Sequence, residues 1–161
     1  TPKPLVVMTP KSLLRSPWAK SRTEDFVAGR FRLILDDRAP DPRAETVLLC
    51  SGKVAYDLMG FREKHAVAGH AIVRVEQLYP FPSDDLAAIL ARYPDVRKVK
   101  WVQEEPMNMG AWKPVRDRVG EDVARGRVAF VGRPPSGSPA AGSQTLHAVE
   151  QEYLIQQAFL T

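Results

Sequence analysis

The sequence predicts an α/β domain with a largely parallel sheet and helices on both of its faces. Three observations carry this. Short apolar runs such as Val47-Leu48-Leu49-Cys50 and Ala71-Ile72-Val73 barely alternate, as expected of strands covered on both sides. Between the runs lie amphipathic stretches: Leu86, Ile89, Leu90 and Tyr93 recur three and four apart. The connections are short and marked by Gly and Pro, at Ser51-Gly52, Gly69 and Pro94.

Taken in order, residues 4–9 read as a buried strand stopped by Pro10. Residues 11–15 suit one helical turn. Ser21 or Thr23 is expected to cap a short helix through Val27, closed by Gly29. Residues 31–35 alternate as a short strand, and residues 36–44, with Pro40 and Pro42, form the loop expected to be most mobile. Strand 46–50, turn Ser51-Gly52 and helix 53–65 follow, with Val54, Ala55, Leu58 and Met59 on one side of the helix. Gly60 weakens that helix by about 1 kcal/mol relative to Ala. Gly69 breaks it, residues 71–75 are a strand, and Leu78-Tyr79-Pro80-Phe81-Pro82 turns the chain. Ser83 suits an N-cap, with Asp84 and Asp85 favoured in the positive first turn.

The organising stretch is Trp101-Val102-Gln103-Glu104-Glu105-Pro106-Met107-Asn108-Met109-Gly110-Ala111-Trp112. It ends a strand over 96–103, turns, and starts a helix whose stripe is Trp112, Val115, Val119 and Val123. A last strand at 128–131, a Gly/Pro/Ser-rich loop over 132–143 and a helix over 144–160 complete the chain. Two carboxylates where a strand ends and a helix begins occupy the usual contact position of an open α/β sheet.

Composition sets bounds. At 161 residues, 44% hydrophobic and 26% charged, the chain fits one ordinary globular domain with a real core. The net charge of +4 and an isoelectric point near 9.4 come from basic residues scattered among acids, which argues against nucleic-acid binding. One cysteine, Cys50, excludes an internal disulfide and a cysteine metal cluster; its apolar run marks it as a small core residue. No apolar run approaches the roughly 20 residues that span a bilayer. The opening Thr1-Pro2-Lys3-Pro4 suggests a processed chain or a fragment of a longer one.

Candidate chemistry is sparse. Ser51-Gly52 before a helix suits an anion in principle, but the Gly-rich fingerprints are absent and a structural turn is the plainer reading. The loop at 132–143 carries Arg133, suited to bidentate carboxylate or phosphate contacts, and serines; a ligand role and a crossover or subunit contact stand equal. His147 near Glu150 suggests acid–base work, yet no nucleophile or second ligand accompanies it, which favours a cap or interface. His65 and His70 flank Gly69 and are expected to be solvated. Glu104 and Glu105 fit a catalytic pair less well than an inward-pointing or interface role. Trp101 and Trp112 are expected in the core, with a subunit interface as the next choice for them.

Several stretches together resemble one family. Lys3-Pro4-Leu5-Val6-Val7-Met8-Thr9-Pro10-Lys11-Ser12-Leu13-Leu14-Arg15 looks like the opening of the C-terminal domain of 2-oxoglutarate dehydrogenase, the thiamine-dependent decarboxylating component. Leu48 to Lys53, Arg74-Val75-Glu76-Gln77-Leu78-Tyr79-Pro80-Phe81-Pro82, the stretch from Trp101 to Trp112 and the loop from Gly132 to Ala140 fit it too, as do His147 and Gln151. The resemblance covers nearly the whole chain, in order. It implies a transketolase C-terminal-like fold, a three-layer unit with a mostly parallel five-stranded sheet. It also implies a complete enzyme that is a homodimer or larger and decarboxylates 2-oxoglutarate on thiamine diphosphate with Mg2+. The succinyl group then goes to the lipoyl domain of the dihydrolipoamide succinyltransferase component.

In that family the cofactor and metal are held by preceding domains, so the resemblance assigns no catalytic, cofactor or metal residue here. It implies a domain that packs against the preceding domains and helps build the dimer, with Glu104, Glu105, Trp112, Arg133 and His147 as candidate interface residues. Some relatives bind acetyl-CoA or a nucleotide as effector, which makes Lys11, Arg15, Lys20 and Arg22 a candidate effector set. The implied compartment is the bacterial cytoplasm or the mitochondrial matrix. Rival readings are the matching domain of a 2-oxoadipate dehydrogenase and a free-standing acyl-CoA or nucleotide-binding module.

Overall fold

The computed structural model describes residues 3–7, 9–122 and 128–160, and it divides into two compact units, residues 1–30 and 31–161. The smaller unit holds a 3-10 turn, Lys11–Arg15, and helix α1, Thr23–Val27, and buries none of the residues of either. Residues 4–7 form no strand, against the sequence expectation; Leu5, Val6 and Val7 are exposed, so their β-forming character meets no sheet. The cap of α1 is Arg22 rather than Ser21 or Thr23, because Asp25 accepts a hydrogen bond from the Arg22 amide at 3.0 Å.

The larger unit is the predicted α/β layer structure. Its strands are β1 (Ile34–Leu35), β2 (Thr46–Cys50), β3 (His70–Val75), β4 (Lys98–Pro106) and β5 (Val128–Arg133), in spatial order β1-β3-β2-β4-β5. Only β1 runs antiparallel to its neighbour. The helices are α2 (Val54–Lys64), α3 (Ser83–Leu90), α4 (Trp112–Asp122) and α5 (Gln144–Phe159).

Alternation along the strands builds two cores. Val47, Leu49, Val73, Val75, Val99 and Trp101 pack with Leu86 and Tyr93 from the α3 segment and with Val115 and Val119 of α4. The residues between them point the other way, toward α2 and α5. There Leu48, Cys50 and Ile72 are fully buried, as are Val54, Ala55 and Leu58 of α2 and Ala158 of α5. Cys50 is a core residue, its thiol pushed up to about 12 chiefly by burial.

Several boundaries move from the sequence reading. The strand expected to end at Gln103 continues to Pro106, and the last strand runs on to Arg133. Pro82, not Ser83, caps α3. Val123 lies outside the described residues. The loop 36–44, expected to be mobile, is anchored: Asp37, with a fully buried side chain, accepts from the Ile72 amide at 2.6 Å and from Arg62 Nη2 at 2.8 Å. Its neighbour Asp36 accepts from Tyr93 Oη at 2.6 Å. His70 is buried rather than solvated; its ring meets Phe159 edge-on, and Nδ1 sits 2.8 Å from the Ala68 carbonyl.

Candidate functional site

The C-terminal ends of the parallel strands gather Glu104, Arg133 and His147 from among the polar side chains singled out by sequence. β2 is followed by a helix on one face, whereas β3 and β4 are followed by helices on the other, so crevices open on both sides of β2 at that edge. The crevice between β2 and β4 is closed by the chain itself. Lys53, at the start of α2, reaches Glu104 Oε1 at 3.0 Å and Asp57 Oδ2 at 3.1 Å. Burial pulls the Lys53 amine down, but those two carboxylates outweigh it and raise it above its ordinary value.

Arg133 is the second centre. It is nine-tenths buried, and its Nη1 donates to the Glu104 main-chain carbonyl at 2.7 Å. Its Nη2 meets His147 Nδ1 at 3.0 Å and Gln151 Oε1 at 3.5 Å, while Glu150 Oε2 lies 2.8 Å from Nε, an ion pair too bent to be a hydrogen bond. An arginine only donates, so His147 presents its Nδ1 lone pair. Gln151 closes the circuit by donating to Asp57 Oδ2 at 2.9 Å. One network thus links β4, β5, α2 and α5.

The turn after β4 is held from beneath by Gln103. Its buried amide accepts from Trp101 Nε1 at 2.8 Å and donates to the carbonyls of Glu105, Pro106 and Met109. From the side, the Met107 amide donates to the Arg133 carbonyl, and Asn108 and Ser136 exchange two hydrogen bonds of 2.9 and 3.0 Å. Gly110, at φ +66°, lets the turn close over Gln103; a Cβ there would sit 2.9 Å from the Gln103 amide. The result is a firmly held exposed tip bearing Glu105 and Met107.

Of the sequence candidates, Glu104, Arg133 and His147 come together; Glu105 stays on the tip, and Trp112 half-buries against Phe130 at 5.2 Å. Trp101 is a core residue, as expected. Lys11, Arg15, Lys20 and Arg22 all lie exposed in the smaller unit. Ser51-Gly52 is a turn, with Gly52 at φ +74°. Sequence reasoning missed Lys53, Asp57 and Gln103; the four-residue spacing of Lys53 and Asp57 on a helix was the available signal.

Among the described residues no group of three or more His, Cys, Asp or Glu is placed to hold a metal ion, and no helix is long and apolar enough to cross a membrane. Residues 20–159 match the family model described as 2-oxoglutarate dehydrogenase C-terminal. Relatives named 2-oxoglutarate dehydrogenase E1 component align with 97–98% of the chain. They come from Cupriavidus necator at 41% identity, Azotobacter vinelandii at 43% and Coxiella burnetii at 45%. The chain spans only 17% of the length of each.

Proposed function

Because this chain belongs to the 2-oxoglutarate dehydrogenase C-terminal family, we propose that it is the non-catalytic C-terminal domain of such an enzyme, packing against the rest of the polypeptide and helping to build a homodimer. In this reading the whole enzyme oxidatively decarboxylates 2-oxoglutarate with thiamine diphosphate and Mg2+. It then passes a succinyl group to the dihydrolipoamide succinyltransferase component. Coverage carries the reading: nearly all of the chain aligns, yet it accounts for 17% of its relatives.

The described residues do not fit the diphosphate–metal group. They offer no cluster of metal ligands, and Lys53 and Arg133 are already engaged with Glu104, Asp57 and Glu150. No step of the reaction is therefore assigned to them. Their chemistry suits holding a surface in shape, and the exposed tip with Glu105 and Met107 suits contact with a neighbouring domain or subunit.

The exposed Lys11, Arg15, Lys20 and Arg22 suit the phosphates of an acetyl-CoA or nucleotide effector. Two experiments test these proposals. The intact mass of the native protein from its source is expected to exceed 18.0 kDa by several-fold; a free chain of 18.0 kDa would argue for an independent module. Calorimetric titration with acetyl-CoA and AMP tests the effector set. Binding unchanged by Arg15→Ala with Arg22→Ala would remove it.

A further inference from the structure

Helix α5 turns an apolar face to solvent. Its inner side, with Leu154, Ile155, Ala158 and Phe159, is buried. At 100° per residue, Leu146, Val149 and Tyr153 fall on the opposite side, three and four positions apart, where they are 50%, 62% and 63% exposed. A surface helix ordinarily presents charge outward, and α4 does so with Lys113, Arg116, Asp117 and Arg118. A helix that is apolar on two sides belongs between two layers. The three-four spacing is also that of the seam between paired helices, with Gln156 next in the series. No described residue covers this stripe.

The flanks of the stripe select what fits it. The sequence of α5 contains no Lys or Arg. Glu152 on one border is exposed and accepts from Gln156 Nε2 at 3.4 Å, while Glu150 on the other border is tied to Arg133. A second copy of α5 would set acid beside acid in either direction, whereas a helix flanked by Lys or Arg would match. Size then selects the source. A stable interface between free proteins takes roughly 20 residues a side, and three side chains fall well short of that. They suffice for a segment tethered in the same polypeptide, where the contact is intramolecular. There is length for such a segment, since the chain spans only 17% of its relatives.

We propose that the outer stripe of α5, Leu146, Val149 and Tyr153, docks an amphipathic helix flanked by Lys or Arg that belongs to the remainder of the same polypeptide. The partner's apolar residues fill the seam, and its cations face Glu152 and Glu150. This inference rests on the reading of the chain as one domain of a longer enzyme, and it gives that reading a second contact surface, separate from the tip with Glu105 and Met107.

Tyrosine nitration of the full-length enzyme, read peptide by peptide by mass spectrometry, tests the proposal. Tyr153 is expected to react at least tenfold more slowly in the native enzyme than in the same enzyme unfolded in urea. Val149→Asp is expected to restore most of that rate, and Leu146→Asp serves the same comparison if the first variant does not fold. A photo-crosslinker placed by Tyr153→p-benzoylphenylalanine identifies the occupant. The expected product has the mass of one polypeptide and joins residue 153 to a helix bearing Lys or Arg. Nitration at the unfolded rate, a product of two-chain mass, a crosslink to a different protein or no crosslink at all would overturn the proposal. A native polypeptide of only 18.0 kDa would remove the family reading and this proposal together, whereas a longer one with Tyr153 freely nitrated would remove the proposal alone.

Discussion

Arg133 on β5 donates to the main-chain carbonyl of Glu104 on β4 across 2.7 Å, while Lys53 grips the side chain of the same glutamate at 3.0 Å. The last residues of the longest strand are therefore fixed through both backbone and side chain.

The two grips differ in weight. Arg133 is nine-tenths buried and serves four partners, so Arg133→Met is expected to cost about 3 kcal/mol, leaving Glu150 without its ion-pair partner and the Glu104 carbonyl without its donor. The Lys53 pair is about a quarter exposed, and Lys53→Met is expected to cost about 1 kcal/mol or less. Urea unfolding of both variants gives the comparison; equal losses would deny Arg133 its central place.

Asp37 ties the loop between β1 and β2 to α2 and β3. Asp37→Asn keeps the shape but weakens the ion pair between this wholly buried carboxylate and the partly buried Arg62, and a loss of about 3 kcal/mol is expected. Hydrogen exchange at the Ile72 amide should accelerate in the same variant. Unchanged protection there would mean that the loop is not anchored through this carboxylate.

Gly132 sits where β4 bulges past β5. A Cβ at that position would lie 2.9 Å from the Gln103 carbonyl oxygen and 2.5 Å from the Phe130 ring. Gly132→Ala is expected to destabilise by about 2 kcal/mol. Gly137→Ala, where a Cβ meets nothing within 4 Å, should stay within about 0.5 kcal/mol of the parent. Thermal melts of the two variants side by side check the contrast.

Burial holds the Cys50 thiol at about 12, against 9.0 for an ordinary thiol. Below 9.0 the proton is bound in both folded and unfolded chains, and the contribution of the thiol to stability is complete. Between 9.0 and about 12 the unfolded chain releases the proton and the fold does not, so stability falls as pH rises, by up to about 1.4 kcal/mol per unit. Denaturant melts of the parent and Cys50→Ala across that window should differ in slope. A thiol reagent at pH 8 is expected to react only on unfolding.

Much of the fold was legible in the sequence because local periodicity and burial agree: Val54, Ala55, Leu58 and Met59 all lie on the buried side of α2 as spaced. Residues 4–7 misled because apolar, β-branched residues make a strand only beside another strand, and pairing is not a local property. The loop at 36–44 and His70 misled for a related reason. The bond from the Ile72 amide to Asp37 spans 35 positions, and the ring that covers His70 belongs to Phe159 at the far end of the chain. At the candidate site, Glu104, Arg133 and His147 were legible by residue type. Their union was not, since the hydrogen bond from Arg133 to Glu104 crosses 29 positions and goes to a carbonyl, which every residue possesses.

The proposed division of labour, in which thiamine diphosphate and Mg2+ are bound outside this domain, is tested most directly by calorimetric titration of the isolated 161-residue chain with thiamine diphosphate in the presence of Mg2+. No heat of binding is expected, because Lys53 and Arg133 are tied to carboxylates and the described residues offer no metal ligand cluster. Saturable, Mg2+-dependent binding with one site per chain would place the cofactor chemistry here and contradict the scaffold role.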